Sequence, residues 1–181
     1  MLTIVGERVI LREFTKENLY DKEYYNWLRD IEVINELYKI DYLLSIDFEI
    51  IESYILNLLK SKNDCFFAIY SKQSDQFIGT VKLGHIDWRA SHCDIGIMIG
   101  DKDFRGIGLS SEVVKLAVNY AFDILSIRKI TAGTSQKNLP MQKCFEGMGF
   151  NKDGQLRKHL LINGEFYDHL LYSLFKSELK K

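Results

Sequence analysis

Residues 65–70, 77–83 and 93–99 are three apolar, partly β-branched runs, and the polar stretches that separate them, 71–76 and 85–91, are short. A connection between parallel neighbours takes a crossover of about a dozen residues or more, whereas an antiparallel hairpin needs only a few. The three runs therefore predict an antiparallel meander. Behind them come Gly100-Asp101-Lys102-Asp103-Phe104-Arg105-Gly106-Ile107-Gly108 and then residues 109–125, which hold no helix breaker. The apolar residues of this last stretch, among them Val113, Val114, Ala117, Val118, Ala121 and Phe122, cover more than one helical face, so the helix is expected to lie buried against the sheet.

The flanks are mixed. Residues 9–12 read as a strand, Thr15 caps a helix carrying Leu19, Tyr24, Trp27 and Leu28, and a second helical piece covers 30–38. Ser45 or Asp47 caps a third, in which Phe48, Ile51, Ile55, Leu58 and Leu59 recur at helical spacing. A strand at 129–134, a short helix at 141–146 and strands at 150–161 and 165–174 around Asn163-Gly164 complete the pattern. The chain has 181 residues, one proline (Pro140) and no internal repeat. One α+β domain over 1–181 is expected, a mixed, mostly antiparallel sheet flanked by helices.

A formal net charge of −1 gives no overall field to attract nucleic acid or an anionic membrane. No apolar stretch reaches the ~18 residues needed to span a bilayer, and the start Met1-Leu2-Thr3-Ile4-Val5-Gly6-Glu7-Arg8 lacks a basic region leading into an apolar run. A cytoplasmic protein is expected. Cys65, Cys93 and Cys144 form no C-x-x-C pair and read as reduced thiols. His85 and His92 lie near Cys93 without zinc-type spacing, so no metal is expected.

Chemistry concentrates in Arg105-Gly106-Ile107-Gly108-Leu109-Ser110, between a strand and the long helix. Glycines reach positive φ and let backbone approach a ligand, and a first helical turn offers unpaired N–H groups at the positive end of the dipole. Together they suit a pyrophosphate, with Arg105 adding a charged hydrogen bond. The alternative is a glycine turn that merely starts a helix. A dinucleotide fingerprint does not fit, because Ser111 stands where its third glycine belongs and a meander precedes the loop. The G-x-x-x-x-G-K-[ST] phosphate loop is absent.

Arg105, Gly108 and Ser110 match the pattern [QR]-x-x-G-x-[GA] with serine at its last small position, and by these residues and the order of elements the chain resembles the GNAT superfamily of acyl-coenzyme A N-acyltransferases over nearly its whole length. The resemblance implies acetyl-CoA as cosubstrate and transfer of acetyl to an amine. It implies that Asp94-Ile95-Gly96-Ile97-Met98-Ile99 is the strand whose backbone, at Ile97, Met98 and Ile99, pairs with the pantetheine arm. Arg105, Gly106, Ile107, Gly108, Leu109 and Ser110 would hold the pyrophosphate, and Asn138, Lys143 and Phe145, ahead of Gly149-Phe150, would form a second coenzyme segment. Many members carry at the Phe145 position a tyrosine that protonates the departing thiolate, and Met141 replaces a usual small residue.

An alkyl amine is mostly protonated at neutral pH, so a base or water chain must take its proton. Asp94 leads the candidates because related members often have Glu or Asp there; alternation puts it on one face of the strand with Met98, with Ile95, Ile97 and Ile99 on the other. Its other reading is a strand-edge carboxylate paired with a cation. His85, just after the preceding strand, is a second candidate, and Ser135 could hold a water. Backbone N–H near Met98 is the simplest oxyanion donor. Cys144 has no His partner and reads as a buried thiol.

The segment Tyr24-Tyr25-Asn26-Trp27-Leu28-Arg29-Asp30-Ile31-Glu32-Val33 resembles Y-x-x-W-L-x-D-x-E-V of acetyltransferases acting on amino-sugar nucleotides, which makes such a nucleotide the preferred acceptor and Trp27 and Tyr167 its contacts. Trp27, Leu28 and Val33 could equally pack helices together. A protein N-terminus, as in ribosomal-protein acetyltransferases, or a polyamine is the enzymatic alternative, and a coenzyme A-binding module the non-enzymatic one. A homodimer is admitted; partners beyond a small amine are not expected. Residues 13–54 carry four basic and eleven acidic side chains, residues 55–181 eighteen and thirteen. The basic excess falls on the part assigned to the anionic coenzyme and the acidic excess around the acceptor, which would suit a polyamine better than a sugar nucleotide.

Overall fold

A computed structural model describes residues 2–37 and 47–180. Its elements are β1 (Thr3–Val5), β2 (Val9–Glu13), α1 (Lys16–Leu19), α2 (Lys22–Trp27), α3 (Ile31–Leu37), α4 (Phe48–Leu58), β3 (Cys65–Ser71), β4 (Phe77–Asp87), β5 (His92–Ile99), α5 (Leu109–Asp123), β6 (Lys129–Ser135), α6 (Leu139–Met148), β7 (Asn151–Ile162) and β8 (Glu165–Phe175). The strands form one sheet in the order β1-β2-β3-β4-β5-β6-β8-β7. All neighbours run antiparallel except β5 and β6, which α5 joins as a crossover. The mixed, mostly antiparallel sheet expected from the sequence is the sheet observed.

Local chemistry accounts for the differences. Thr15 holds the N-cap position of α1, but the helix stops after one turn and Asp21 starts α2 by accepting from the Glu23 N–H at 2.8 Å, so the single helix expected over this stretch is two. Asp47 caps α4, accepting from Glu49 N–H; Ser45 lies outside the described residues. β1 was not expected, since three residues before Gly6 show no period; it pairs Thr3 with Arg12. β4 runs past the expected end at residue 83 to Asp87, because a bulge between Gly84 and Asp87 interrupts the alternation without ending the strand.

Period-two alternation gives the sheet two apolar faces. On one, Val9, Leu11, Val81, Leu83, Cys93, Ile95, Ile130, Ala132, Tyr172 and Leu174 pack against Val113, Val114, Ala117, Val118 and Ala121 of α5 and against Phe145 of α6. On the other, Ala68, Phe77 and Met98 pack against Leu19, Tyr24, Trp27, Leu28, Val33, Ile51 and Ile55 of the first four helices. Gly100 is set by this second layer: a Cβ built on it would lie 2.0 Å from the Trp27 ring. No helix among the described residues is long and apolar enough to cross a membrane, and no three of their His, Cys, Asp or Glu side chains gather as metal ligands.

Candidate active site

β5 and β6 pair only from His92↔Lys129 to Asp94↔Thr131, and then part. The Gly100 N–H bonds to Ile78 O at 2.9 Å, and successive residues of an antiparallel ladder turn their backbone groups to alternate sides. Met98 therefore turns its N–H and C=O toward Thr80 of β4, while Ile97 and Ile99 turn theirs into the gap. Of the N–H groups near Met98, those facing the gap therefore belong to Ile97 and Ile99. The side chains follow the alternation, with Ile97 and Ile99 on the α5 face and Met98 on the other.

A cavity of about 470 Å³ opens along this gap, lined by Ile97, Met98 and Ile99, by Arg105, Gly106, Gly108, Leu109 and Ser110, by Asn138, Met141 and Cys144 of the α6 side, and by Glu32, Val33, Glu36 and Leu37 of α3. Gly106 and Gly108 have φ of 74° and 79°, and a Cβ built on either meets nothing within 4 Å. Their conformation, not crowding, requires glycine, and the space beside them is free for a ligand. Arg8, just before β2, donates to the carbonyls of Ile107 and Gly108, both at 3.1 Å, while Glu112 accepts from its Nε at 3.2 Å and its backbone N–H at 2.9 Å. A trans peptide points its C=O and the following N–H in opposite directions, so the N–H groups of Gly108 and Leu109 are turned away from Arg8. Burial would push the Glu112 carboxyl up, but the N–H groups of Arg8 and Val9 and the Arg8 guanidinium outweigh it and hold it below its ordinary value.

The Arg105 side chain is engaged by the protein itself. Its Nε donates to Ile99 O at 3.0 Å, Nη1 to Glu32 at 2.9 Å, and Nη2 to Asp30 at 3.1 Å and to the Gly100 carbonyl. These bonds brace the loop against α3 and the turn before it, while Arg105 also lines the cavity. Burial raises the Asp30 carboxyl, yet the Glu32 N–H and Arg105 bring it below the ordinary range. Asn138 caps α6 by accepting from Met141 N–H at 3.0 Å and donates to Glu36, spanning from α6 to α3. Ile107 and Lys143 are exposed and do not line the cavity.

A second cavity of about 350 Å³ adjoins the first, sharing Glu36, Leu37, Ile97, Met98, Asn138 and Met141. Here the structure joins two residues that the sequence offered separately. Asp94 lies on β5 where the strands part, opposite Gly84 of β4, and its Oδ1 is 2.6 Å from Nδ1 of His85. His85 is not beyond β4 but in its bulge, with φ of 48°, a left-handed conformation more common for His than for most residues. Tyr54, Phe66, Lys82 and Phe145 also line this cavity. Phe145 is buried against Phe150 and Tyr172, so no hydroxyl occupies its place.

Three expected site residues lie elsewhere. Trp27, foreseen as a substrate contact, is 6% exposed and packs on Phe77 beneath Gly100, because its ring fills the space a side chain at 100 would need. Tyr167 lines neither cavity; its hydroxyl donates to Glu165 and Lys137 stands over its ring. Ser135 is buried, accepting from Lys137 N–H at 3.1 Å, and shapes the turn into α6. Cys144 is a buried thiol on the cavity wall, pushed up by burial although Ser111 bonds to it. The residues that sequence reasoning missed, Arg8, Glu112, Asp30, Glu32 and Glu36, act across separations of 73 to 104 positions. Asp30 and Glu32 fall on the D and E of the front-segment pattern, which says nothing of their partner Arg105, and no local pattern marks the other three.

A family model described as "Acetyltransferase (GNAT) domain" matches residues 8–151. The Bacillus subtilis protein described as "Probable N-acetyltransferase YjcK" is 35% identical over 121 residues, 66% of either chain. "Uncharacterized N-acetyltransferase p20" of Bacillus licheniformis is 32% identical over 62% of either chain, so the matches span a little under two thirds of these relatives. The "[Ribosomal protein uS5]-alanine N-acetyltransferase" of Escherichia coli is 28% identical over 60% of this chain and 56% of its own. Among solved structures, spermidine N-acetyltransferase from Vibrio cholerae, in complex with CoA and spermine, superposes with a TM-score of 0.85 at 21% identity, covering 96% of this chain and 98% of that one.

Proposed function

The chain belongs to the GNAT acetyltransferase family, and from that premise we propose that it transfers an acetyl group from acetyl-CoA to a primary amine, by direct attack of the amine on the thioester. The observation that carries this reading is the parting of β5 and β6 beside a loop whose two left-handed glycines leave open space at the start of α5. The residues present fit the coenzyme. N–H groups at Gly108 and Leu109 receive the pyrophosphate at a helix N-terminus, and the β5 edge at Ile97 and Ile99 offers backbone pairing to the amide-bearing arm. Acetyl-CoA supplies an acyl group activated as a thioester. An N–H of Ile97 or Ile99 stabilises the charge that develops on the acyl oxygen, and the apolar walls exclude water.

The acceptor enters the adjoining cavity. Glu36 and Asp94 line it, its lysine, Lys82, stands 4.0 Å from Asp64, and the His85 ring is hydrogen-bonded to Asp94. That arrangement favours a cationic aliphatic amine, a polyamine or a protein N-terminus, over the amino-sugar nucleotide suggested by the front segment, whose phosphates would meet carboxylates and a lysine already facing one. The named activities of the E. coli and V. cholerae relatives support the same choice. The test is coenzyme release measured against polyamines, peptides with free N-termini and amino-sugar nucleotides. Turnover of a cationic amine is expected; turnover confined to sugar nucleotides would reverse the acceptor assignment, and acetyl-CoA binding with no turnover would make the protein a coenzyme-binding module.

A further inference from the structure

Resting on the acetyl-transfer reading above, we propose that His85 is the proton acceptor of the reaction, that Asp94 orients its ring, and that Asp64 is a positioning residue holding the backbone on which that ring stands. The usual assignment of the base to a strand carboxylate would make Asp94 the proton acceptor. The geometry points the other way. Asp94 Oδ1 faces Nδ1 of His85 at 2.6 Å, and a carboxylate on one ring nitrogen fixes the tautomer and leaves Nε2 as the nitrogen that accepts a proton. The His85 side chain is 81% exposed and Asp94 37%, so the imidazole is the member of the pair that an incoming amine reaches first.

An imidazole so exposed would ordinarily sample many directions. This one is fixed from both ends. The bulge places one extra residue on β4 between Gly84 and Asp87, and His85 takes a left-handed φ of 48° within it. Backbone strain of this kind persists only where neighbours over-determine it. The loop before β3 does so: Asp64 Oδ1 accepts from the His85 N–H at 3.2 Å, the Asn63 carbonyl accepts from the Ile86 N–H at 2.8 Å, and the Trp88 indole N–H donates to the Lys62 carbonyl at 3.1 Å. Asp64 is itself held by Ser61, whose hydroxyl donates to it at 2.6 Å. The other charged and titratable groups around the pair are Lys82 of β4, Tyr54 of α4 and Glu36 of α3.

The acceptor arrives as an ammonium and loses one proton before attack; the C–N bond forms, the C–S bond breaks with its electron pair leaving on sulfur, and a second proton leaves nitrogen. Of these two protons His85 accepts one and passes it to solvent, and the other ends on the departing thiolate. Overall, ammonium and acetyl-CoA give the amide, coenzyme A thiol and one proton.

The experiment compares wild type with His85→Gln, Asp94→Asn and Asp64→Ala on two acceptors, an alkyl amine protonated at the assay pH and an alkoxyamine that is not. With the alkyl amine, His85→Gln is expected to lower kcat about 100-fold with acetyl-CoA KM within about threefold of wild type, and to lose less than about fivefold with the alkoxyamine. In the same variant the kcat/KM pH profile should lose the inflection owed to the base and keep only the acceptor's own ionisation. Asp64→Ala should reproduce the kcat loss at unchanged coenzyme KM, and Asp64→Asn, which keeps an oxygen to accept the His85 N–H, should restore most of it. Equal losses on both acceptors, or a fully active His85→Gln, would overturn the proposal while leaving acetyl transfer standing; an Asp94→Asn loss confined to the alkyl amine with His85→Gln fully active would return the base to Asp94. Absence of turnover by the wild type on every amine would remove the underlying reading and this one with it.

Discussion

Gly108→Ala separates the coenzyme loop from an ordinary helix start. At φ of 79° a non-glycine residue incurs about 1–2 kcal/mol of backbone strain, partly offset because alanine narrows the unfolded ensemble by about 0.4–1 kcal/mol. No atom lies within 4 Å of the added Cβ, so crowding contributes nothing and the net cost is about 1 kcal/mol. For a chain of this size that lowers Tm by about 2–4 °C. The methyl, however, enters the space through which an anion must approach the N–H groups of Gly108 and Leu109. Acetyl-CoA affinity should fall at least tenfold, about 1.4 kcal/mol. Gly164→Ala is the internal control: Gly164 has φ of 81°, an equally open surround and a place in the β7–β8 turn, so the Tm shift should be similar and coenzyme affinity unchanged. Calorimetric titration with acetyl-CoA and a thermal melt on both variants decide the matter. If Gly108→Ala binds acetyl-CoA like the wild type while showing the Tm shift, the loop is not the anion cradle.

Gly100→Ala should destabilise the fold by about 1–3 kcal/mol in urea, because the methyl would stand 2.0 Å from the Trp27 ring, and Trp27 fluorescence should shift; an unchanged midpoint would remove Trp27 from that wall. Arg8→Gln should weaken acetyl-CoA binding without touching the coenzyme, because the Ile107 and Gly108 carbonyls lose the group that orients their peptides; wild-type affinity would show that the loop holds its shape alone. Glu112 and Asp30 have carboxyls held below their ordinary values, so the stability they add is complete above the unfolded value near 4 and is lost as pH falls through the lower folded values. Glu112→Gln should cost about 1.5–3 kcal/mol at pH 7 and almost nothing near pH 2, measured by urea midpoints; a cost independent of pH would refute the ionic basis. Burial and the neighbouring Asp94 push the Cys93 thiol up to about 12, so iodoacetamide should label it only after unfolding, and rapid labelling of the native protein would show the strand opening.

The sheet and the site were legible to different depths. The meander β3–β4–β5 follows from connection length alone, and the faces of β5 from its period, which is why Ile95, Ile97 and Ile99 could be separated from Asp94 and Met98 before any coordinates. The glycine loop was legible because the role proposed for it belongs to the backbone, and backbone conformation leaves a mark in residue type. Side-chain roles left none. Arg105 matches the loop pattern, yet its guanidinium is engaged by Asp30 and Glu32, more than seventy positions earlier, and nothing in the loop distinguishes a bracing arginine from a ligand-binding one. His85 and Asp94 were each credible alone; the bulge that brings them within 2.6 Å depends on a left-handed residue, which the alternation of apolar side chains cannot encode. A substrate-facing indole and a core indole share one sequence pattern, and it is the burial of Trp27 against Gly100 and Phe77 that places this one in the core.

The charge division along the chain also changes meaning once partners are known. The acidic excess of residues 13–54 suggested a field around the acceptor, but Asp30 and Glu32 are counter-charges to Arg105 and Lys102. Charges already paired in this way contribute little at a distance, and exposed ones fade over roughly 8 Å at physiological salt. What an incoming amine meets is local: Glu36 and Asp94 within the cavity, balanced against Lys82. Glu36 is the pivotal group, because it lines both cavities and bonds to Asn138 at the start of α6. Acceptor preference should therefore respond to Glu36→Gln far more than to neutralising any exposed carboxylate of α1 or α4, even though each removes the same unit charge from the acidic segment.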